Sequence, residues 1–195
     1  MSSYPASAPC LSFAQALASF YLDDGLPFAQ VLPAAVVERA FADAGVAFGA
    51  TLKSVFTPAL TLWAFLSQVL EDDKSCRAAV GRVLAFLVAA GQTPCSEDTA
   101  AYCRARAKLP ASLLQRLAVA AGHNLEAQIP EDWLWHARHV TLVDGTTLTM
   151  SDTPENQEAF PQLSSQAPGA GFPILRMVVL LSLATACLLG MALAP

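Results

Sequence analysis

Hydrophobic residues recur at three- and four-residue intervals along most of the chain before residue 139, which is the spacing of one face of an amphipathic helix. Over residues 11–70 glycines and prolines interrupt the pattern, so it predicts three or four short helices. A more sharply bounded helix is predicted over residues 74–90, with Asp72 or Asp73 at its start and Gly91 at its end.

The charged segment that follows predicts another helix over residues 97–108. Ser96 is its candidate N-cap, acidic residues occupy its first turn, and cations occupy its last turn, where they complement the helix dipole. One more helix is predicted over residues 113–122. These elements predict a helical domain over residues 11–128, preceded by a disordered terminus at residues 1–10 that is rich in Ser, Pro and Ala.

The hydrophobic period changes at His139, where the sequence HVTLVDGTTLTM is dense in the residues that favour β-strands. A Pro-, Gly-, Ser- and Gln-rich loop is predicted over residues 151–173. Residues 177–195 carry no charge. They either cross a bilayer as one helix, which needs about 20 apolar residues, or form two strands that meet near residues 184–187.

Composition adds two constraints. The chain is 54% hydrophobic and 14% charged with a formal net charge of -5, which excludes wholesale disorder and argues against coating nucleic acid through bulk charge. A local basic region remains, because eight of the 11 Lys and Arg residues lie in the middle of the chain: Lys74, Arg77, Arg82, Arg104, Arg106, Lys108, Arg116 and Arg138. The five cysteines show no CxxC pair and no even spacing, which predicts a reducing, cytoplasmic setting.

Asp144 ends an apolar, β-branched run and precedes a glycine and two threonines. An Asp-Gly pair between two such runs is a strong signal for a two-residue hairpin turn. The alternative is chemical, because a carboxylate on a rigid strand is the kind of hard oxygen ligand that binds Mg2+ in two-metal phosphodiester chemistry. Spacing alone favours the turn and leaves both interpretations open.

Arg104, Arg106 and Lys108 on the predicted charged helix are candidate DNA contacts. A short Gly-containing connection joins this helix to the preceding one, so the two could form a helix-turn-helix. The alternative is a solvated helix whose cations only complement its dipole. His136 and His139 have a spacing that could chelate a metal, but no further ligand completes the site, and they are interpreted as structural.

The motifs DGTT, DTPEN and QAPGAGFP, followed by an apolar hairpin, occur in that order from Asp144 onward. This block resembles the first catalytic block of the insertion-sequence-four type of bacterial DDE transposase, and residues 75–110 resemble the helical N-terminal region of that family. The resemblance covers nearly all of the chain after Thr57. It implies an α+β fold, in which a helical, DNA-contacting domain precedes the first three antiparallel strands of an incomplete RNase H-like catalytic domain at residues 139–195.

The resemblance also implies roles for individual residues. Asp144 would be the first carboxylate of the DDE triad and a Mg2+ ligand, with Gly145, Thr146 and Thr147 at the edge of the active site and Asp152 in a loop. The last apolar run would become strands two and three, buried under helices, so that a membrane span is no longer favoured. DNA, as transposon ends and target, is the implied partner, and the full-length parent could act as a homodimer.

The chain departs from the family pattern in its acidic residues. No acid follows Glu158, so the second aspartate and the glutamate of the triad, with their Tyr, Arg and Lys signature, are absent. We therefore expect an N-terminal transposase fragment, from a truncated or frameshifted gene copy, that binds DNA and is inactive alone. The alternatives are a non-enzymatic DNA-binding regulator and a small protein anchored in a membrane by residues 177–195.

Overall fold

The computed structural model describes residues 32–49 and 54–195. The predicted disordered terminus at residues 1–10, and any helix before residue 32, lie outside this part of the chain. The chain divides into two compact units, residues 1–117 and residues 118–195. Each unit is described by itself below.

The first unit is helical over its described residues. Its helices are α1 (Ala34–Asp43), α2 (Pro58–Leu70), α3 (Cys76–Ala89) and α4 (Ala100–Arg106), and the first half of α5 (Ala111–Glu126) also belongs to it. The predicted helices over residues 74–90 and 113–122 are thus confirmed. Helix α5 is longer than predicted at both ends.

Side-chain caps explain where two of these helices begin. The Thr57 hydroxyl accepts a hydrogen bond from the Leu60 amide, and Pro58 occupies the first position of α2. Ser75, rather than Asp72 or Asp73, caps α3 by accepting from the Ala78 amide. The predicted start was too early because the Asp73 carboxylate instead accepts from the Ser75 amide, which holds that residue in the capping position.

Helix α4 is shorter than the predicted 97–108. Ser96 does not cap it, because the Ser96 hydroxyl accepts from the Asp98 amide and the Asp98 carboxylate accepts from the Ala100 amide. These two bonds turn the chain before the helix begins. The core of this unit lies between α2, α3 and α4, where Leu60, Val83 and Tyr102 are fully buried.

The second unit carries a three-stranded antiparallel sheet. After the end of α5 and a short 3-10 turn (Glu131–Trp133) come β1 (Thr141–Thr149), α6 (Pro154–Ala159), β2 (Ile174–Ser182) and β3 (Leu188–Ala194). The strand order is β1-β2-β3. The predicted α+β class, with helices followed by three antiparallel strands, is confirmed.

The sheet decides two questions that the sequence left open. Asp144 and Gly145 pair with Val179 and Val178 in the middle of β1, so the two-residue hairpin interpretation is wrong. The charge-free residues 177–195 lie in β2, β3 and the turn between them, as the two-strand alternative predicted. No helix in the described ranges has the length and apolar content to cross a bilayer.

Two other expectations need correction. The segment 151–173 is not wholly loop, because Thr153 caps the six-residue helix α6 by accepting from the Asn156 amide. Strands two and three were expected to lie buried under helices, but Ser182 is the only buried residue of β2, β3 has none, and all nine residues of β1 are exposed. Within the second unit, β1 has extensive contacts with β2 alone, so no helix of this unit packs extensively on either face of β1.

Candidate functional site

Asp144 lies on a face of the sheet that is otherwise almost entirely apolar. Because side chains alternate along a strand, Leu142, Thr146 and Leu148 share its face of β1. In the antiparallel register the neighbours from β2 on that face are Leu175, Met177, Val179 and Leu181. Asp144 is therefore the single carboxylate on this face of β1. The other side chains of this face are mostly apolar, and such side chains usually determine which residues of two strands pair.

The local geometry leaves the Asp144 carboxylate accessible. One of its oxygens accepts a hydrogen bond of 2.8 Å from the Gly145 amide, and the residue is exposed. Gly145, Thr146 and Thr147 continue along β1, with Gly145 opposite Val178 and Thr147 opposite Arg176. The carboxylate is available as an oxygen ligand to a partner in solution.

The residues present do not complete a metal site around Asp144. Within the two described ranges, no group of three or more His, Cys, Asp or Glu side chains is placed to hold a metal ion. Two Mg2+ ions in catalytic geometry need several carboxylates, and one aspartate cannot supply them. His136 and His139 are not brought together as ligands either, since His136 packs edge-on against Trp135 and His139 contacts Glu126.

The motif block after Asp144 has a clear structural role. Gln157 donates to the Asp152 carboxylate and to the Gly171 carbonyl, which places Asp152 in a loop as predicted. The Gln162 side chain accepts from the amides of Gly169 and Gly171 and donates to the carbonyl of Ala167. The DTPEN and QAPGAGFP motifs thus fold onto each other through two glutamines that the sequence analysis did not single out.

A partly buried carboxylate near the end of α5 was also missed. Glu126 Oε1 lies 2.7 Å from His139 Nδ1, and only 14% of the Glu126 side chain is exposed. Burial raises the pKa of this carboxyl. The nearby Ser182 hydroxyl and the His139 imidazole together lower the pKa by more than burial raises it, so it lies below the usual value of 4.5. Glu126 Oε2 is buried without a direct hydrogen-bond partner.

This pKa shift predicts how stability depends on pH. A glutamate with a pKa lowered by folding stabilises the folded state above its unfolded pKa, and that contribution is lost as the pH falls from about 4.5 through the lower folded value. We expect Glu126→Gln to cost about 1 kcal/mol at pH 7 and progressively less below pH 4.5. Denaturant unfolding from pH 7 to pH 3 measures this. A loss of stability in Glu126→Gln that was the same at pH 7 and at pH 3 would contradict this expectation.

The predicted DNA contacts separate into two groups. Arg104 and Lys108 line a cavity of about 540 Å³ in the first unit, together with Phe48, Phe56 and Ser96. The Lys108 ammonium lies 5.4 Å from the centre of the Phe48 ring, within cation–π range. Both cations are exposed and can reach a phosphate in solution.

Arg106 is placed differently, with its guanidinium turned toward the interior. Its Nη1 donates to the side-chain oxygen of Gln68 at 3.0 Å, and its guanidinium lies 5.6 Å from the centre of the Tyr102 ring. The Tyr102 hydroxyl donates to the same Gln68 oxygen at 2.6 Å. Arg106 is therefore held by the helical core, and a DNA contact by this residue would compete with these interactions.

Three comparisons of this chain, with protein-family models, with curated proteins and with solved structures, found no match.

Proposed function

We propose that this chain corresponds to the N-terminal portion of a DDE transposase of the insertion-sequence-four type. The observation that carries the proposal is the position of Asp144, a lone carboxylate at the centre of the first of three antiparallel strands. That position is the one that the resemblance implies for the first acid of the triad. The order of the DGTT, DTPEN and QAPGAGFP motifs around it supports the same proposal.

In this proposal the chain supplies two of the parts that transposition needs. The helical unit contacts DNA through Arg104 and Lys108, whose charges neutralise phosphates. The sheet supplies Asp144 as one carboxylate ligand for Mg2+. In the family, water and then a freed 3'-hydroxyl attack DNA phosphodiesters, and the triad holds the metal ions for both attacks. Because Asp144 alone does not fit a two-metal site, we expect these 195 residues to bind DNA without cutting it.

The DNA-binding part is tested by removing the two exposed cations of the cavity. We expect Arg104→Ala/Lys108→Ala to lower the affinity for duplex DNA about tenfold at moderate salt, and to reduce the slope of log affinity against log salt by about two. Fluorescence anisotropy across a salt series measures both quantities. Specific recognition adds a second readout, namely tighter binding to the inverted repeats of a neighbouring element than to random DNA.

A matched control separates the position of the charges from their number. Arg39→Ala/Arg77→Ala removes the same net charge from exposed positions on α1 and α3, so it should leave the affinity nearly unchanged. Equal losses of DNA affinity in the two double variants would show that binding depends on bulk charge. The proposal that DNA binds at the cavity would then be wrong. Arg106→Ala is unsuitable as a first test, because it also disrupts the contact with Gln68.

A separate experiment distinguishes a transposase from a DNA-binding regulator. Sequencing the source DNA through and beyond the codon of Pro195, in all frames, should reveal an aspartate on a predicted strand and a later helix with the Tyr, Arg, Glu and Lys signature. Their presence supports a two-metal enzyme to which Asp144 contributes the first ligand. Their absence, combined with DNA binding, would leave a non-enzymatic regulator.

A further inference from the structure

Two cysteine sulfurs approach each other where α3 meets α4. Cys76 is the first residue of α3 and Cys103 lies in the middle of α4. Their Sγ atoms are 3.8 Å apart, with the Cys103 thiol donating to the Cys76 sulfur. A disulfide requires a sulfur–sulfur distance of about 2.05 Å, so closure needs a movement of less than about 2 Å. Both side chains are half-buried and remain in reach of a small reagent.

The surroundings of Cys76 distinguish it from the other cysteines of the described chain. Three donors converge on its sulfur: the Cys103 thiol at 3.8 Å, the Gln68 side-chain amide at 3.6 Å and Arg106 Nη1 at 3.8 Å. Negative charge on this sulfur would therefore face a guanidinium and two further hydrogen-bond donors. Such a setting is typical of cysteines that react as thiolates.

Cys103 has the complementary character. Burial raises the pKa of the Cys103 thiol, the adjacent Cys76 sulfur raises it as well, and the Cys103 thiol donates its hydrogen to that sulfur. Cys76 is thus surrounded by hydrogen-bond donors, and Cys103 is the neighbouring thiol that donates to it. This asymmetry is the one found in pairs of an attacking and a resolving cysteine.

We propose that Cys76 and Cys103 form a reactive dithiol, which a peroxide closes to an intramolecular disulfide. In the first step the Cys76 sulfur attacks one peroxide oxygen, so that an S–O bond forms and the O–O bond breaks, and the departing hydroxide takes up the Cys76 thiol proton and leaves as water. In the second step the Cys103 sulfur attacks the sulfur of the Cys76 sulfenic acid, so that an S–S bond forms and the S–O bond breaks, and the departing hydroxide takes up the Cys103 thiol proton and leaves as water. Two thiols and one hydrogen peroxide thus give one disulfide and two waters.

The disulfide would link the start of α3 to α4, closing a loop with a sequence separation of 27 residues. It would also remove an acceptor from the Arg106 guanidinium, which lies on the same helix as Arg104. The dithiol is independent of the proposed function, because no step of its chemistry involves DNA or Asp144.

The test is peroxide titration of the full reduced chain, followed by alkylation and peptide mapping. Trypsin alone leaves Cys95 and Cys103 on one peptide, so a second cut after Glu97 is needed to separate them. We expect a linked pair of peptides containing Cys76 and Cys103, formed at least about tenfold faster than any modification of Cys95. The melting temperature should rise by about 5 °C or more, and thiol reductant should reverse the change.

Variants make the assignment specific. Cys103→Ser should halt the reaction at a sulfenic acid on Cys76 that a dimedone probe traps, while Cys95→Ser, a matched change at another half-buried cysteine, should leave the disulfide yield unchanged. Arg106→Gln should slow closure several-fold relative to Arg104→Gln on the same helix. Peptide mapping of the wild-type chain tests the proposal even if one of these variants does not fold. Equal peroxide reactivity of Cys95 and Cys76, or linkage through Cys10 or Cys187, would overturn the proposal.

Discussion

Replacing Gly122 by alanine is expected to destabilise the second unit by about 3 kcal/mol, although alanine is the better helix former. Gly122 is buried in α5, and a Cβ atom there would overlap the backbone carbonyl of Leu188 at the start of β3. Backbone atoms cannot move aside as the end of a flexible side chain can. The helix and the strand must therefore separate, which weakens the packing that holds α5 on the sheet.

Gly81→Ala is the matched control, because Gly81 is also inside a helix but has open space where a Cβ would be added. That substitution should stabilise the first unit by about 0.5–1 kcal/mol through helix propensity alone. Denaturant unfolding measures both variants, followed by circular dichroism and by tryptophan fluorescence, to which Trp63 contributes from the first unit and Trp133 and Trp135 from the second. A stabilising effect of Gly122→Ala would mean that α5 does not approach β3 this closely.

The second large effect is expected at Gln68. Its side-chain oxygen accepts from the Tyr102 hydroxyl and from Arg106, and its amide donates to the Lys74 carbonyl at 2.8 Å. Burial raises the pKa of Tyr102 to about 12, so this phenol remains a donor at all ordinary pH values. Gln68→Leu leaves a fully buried hydroxyl without its acceptor, and we expect it to cost about 3 kcal/mol.

A double-mutant cycle tests that explanation. Tyr102→Phe alone should cost about 1 kcal/mol, and the double variant should cost about 1 kcal/mol less than the sum of the single changes, because no hydroxyl is then left unpaired. Gln92→Leu makes the same chemical change at a partly exposed position and should alter stability by less than about 0.5 kcal/mol. Strictly additive costs would show that the loss comes from changes in packing and not from the hydrogen bond.

Local patterns were sufficient to predict the larger elements. Three-to-four residue periodicity located α3 and α5, the acidic first turn and basic last turn located α4, and the change to a β-branched pattern located β1. The split of the charge-free segment into β2 and β3 was also among the sequence alternatives. Helix ends were less accurate, since Ser75 and Asp98 form local hydrogen bonds that periodicity does not detect.

The candidate site was predictable only in part. Asp144 stood out because its carboxylate interrupts an apolar run, whereas the role of Arg106 could not be foreseen from helix spacing alone. Its acceptor, Gln68, is 38 positions away in the sequence. The pairing of Cys76 with Cys103 and of Glu126 with His139 depends on tertiary contacts of the same kind. A glutamine within the apolar helix α2 was the one local signal that a buried polar network was present.

The strict alternation along β1 limits which insertions and deletions relatives of this chain can carry. A single inserted residue between Thr141 and Asp144 would move the carboxylate to the opposite face, or would shift every downstream pair with β2 by one position. A two-residue insertion would restore its face. In natural variants with an intact Asp144, length changes before this residue should therefore be confined to the segment preceding β1, or occur within the strand in even numbers or as a compensating bulge.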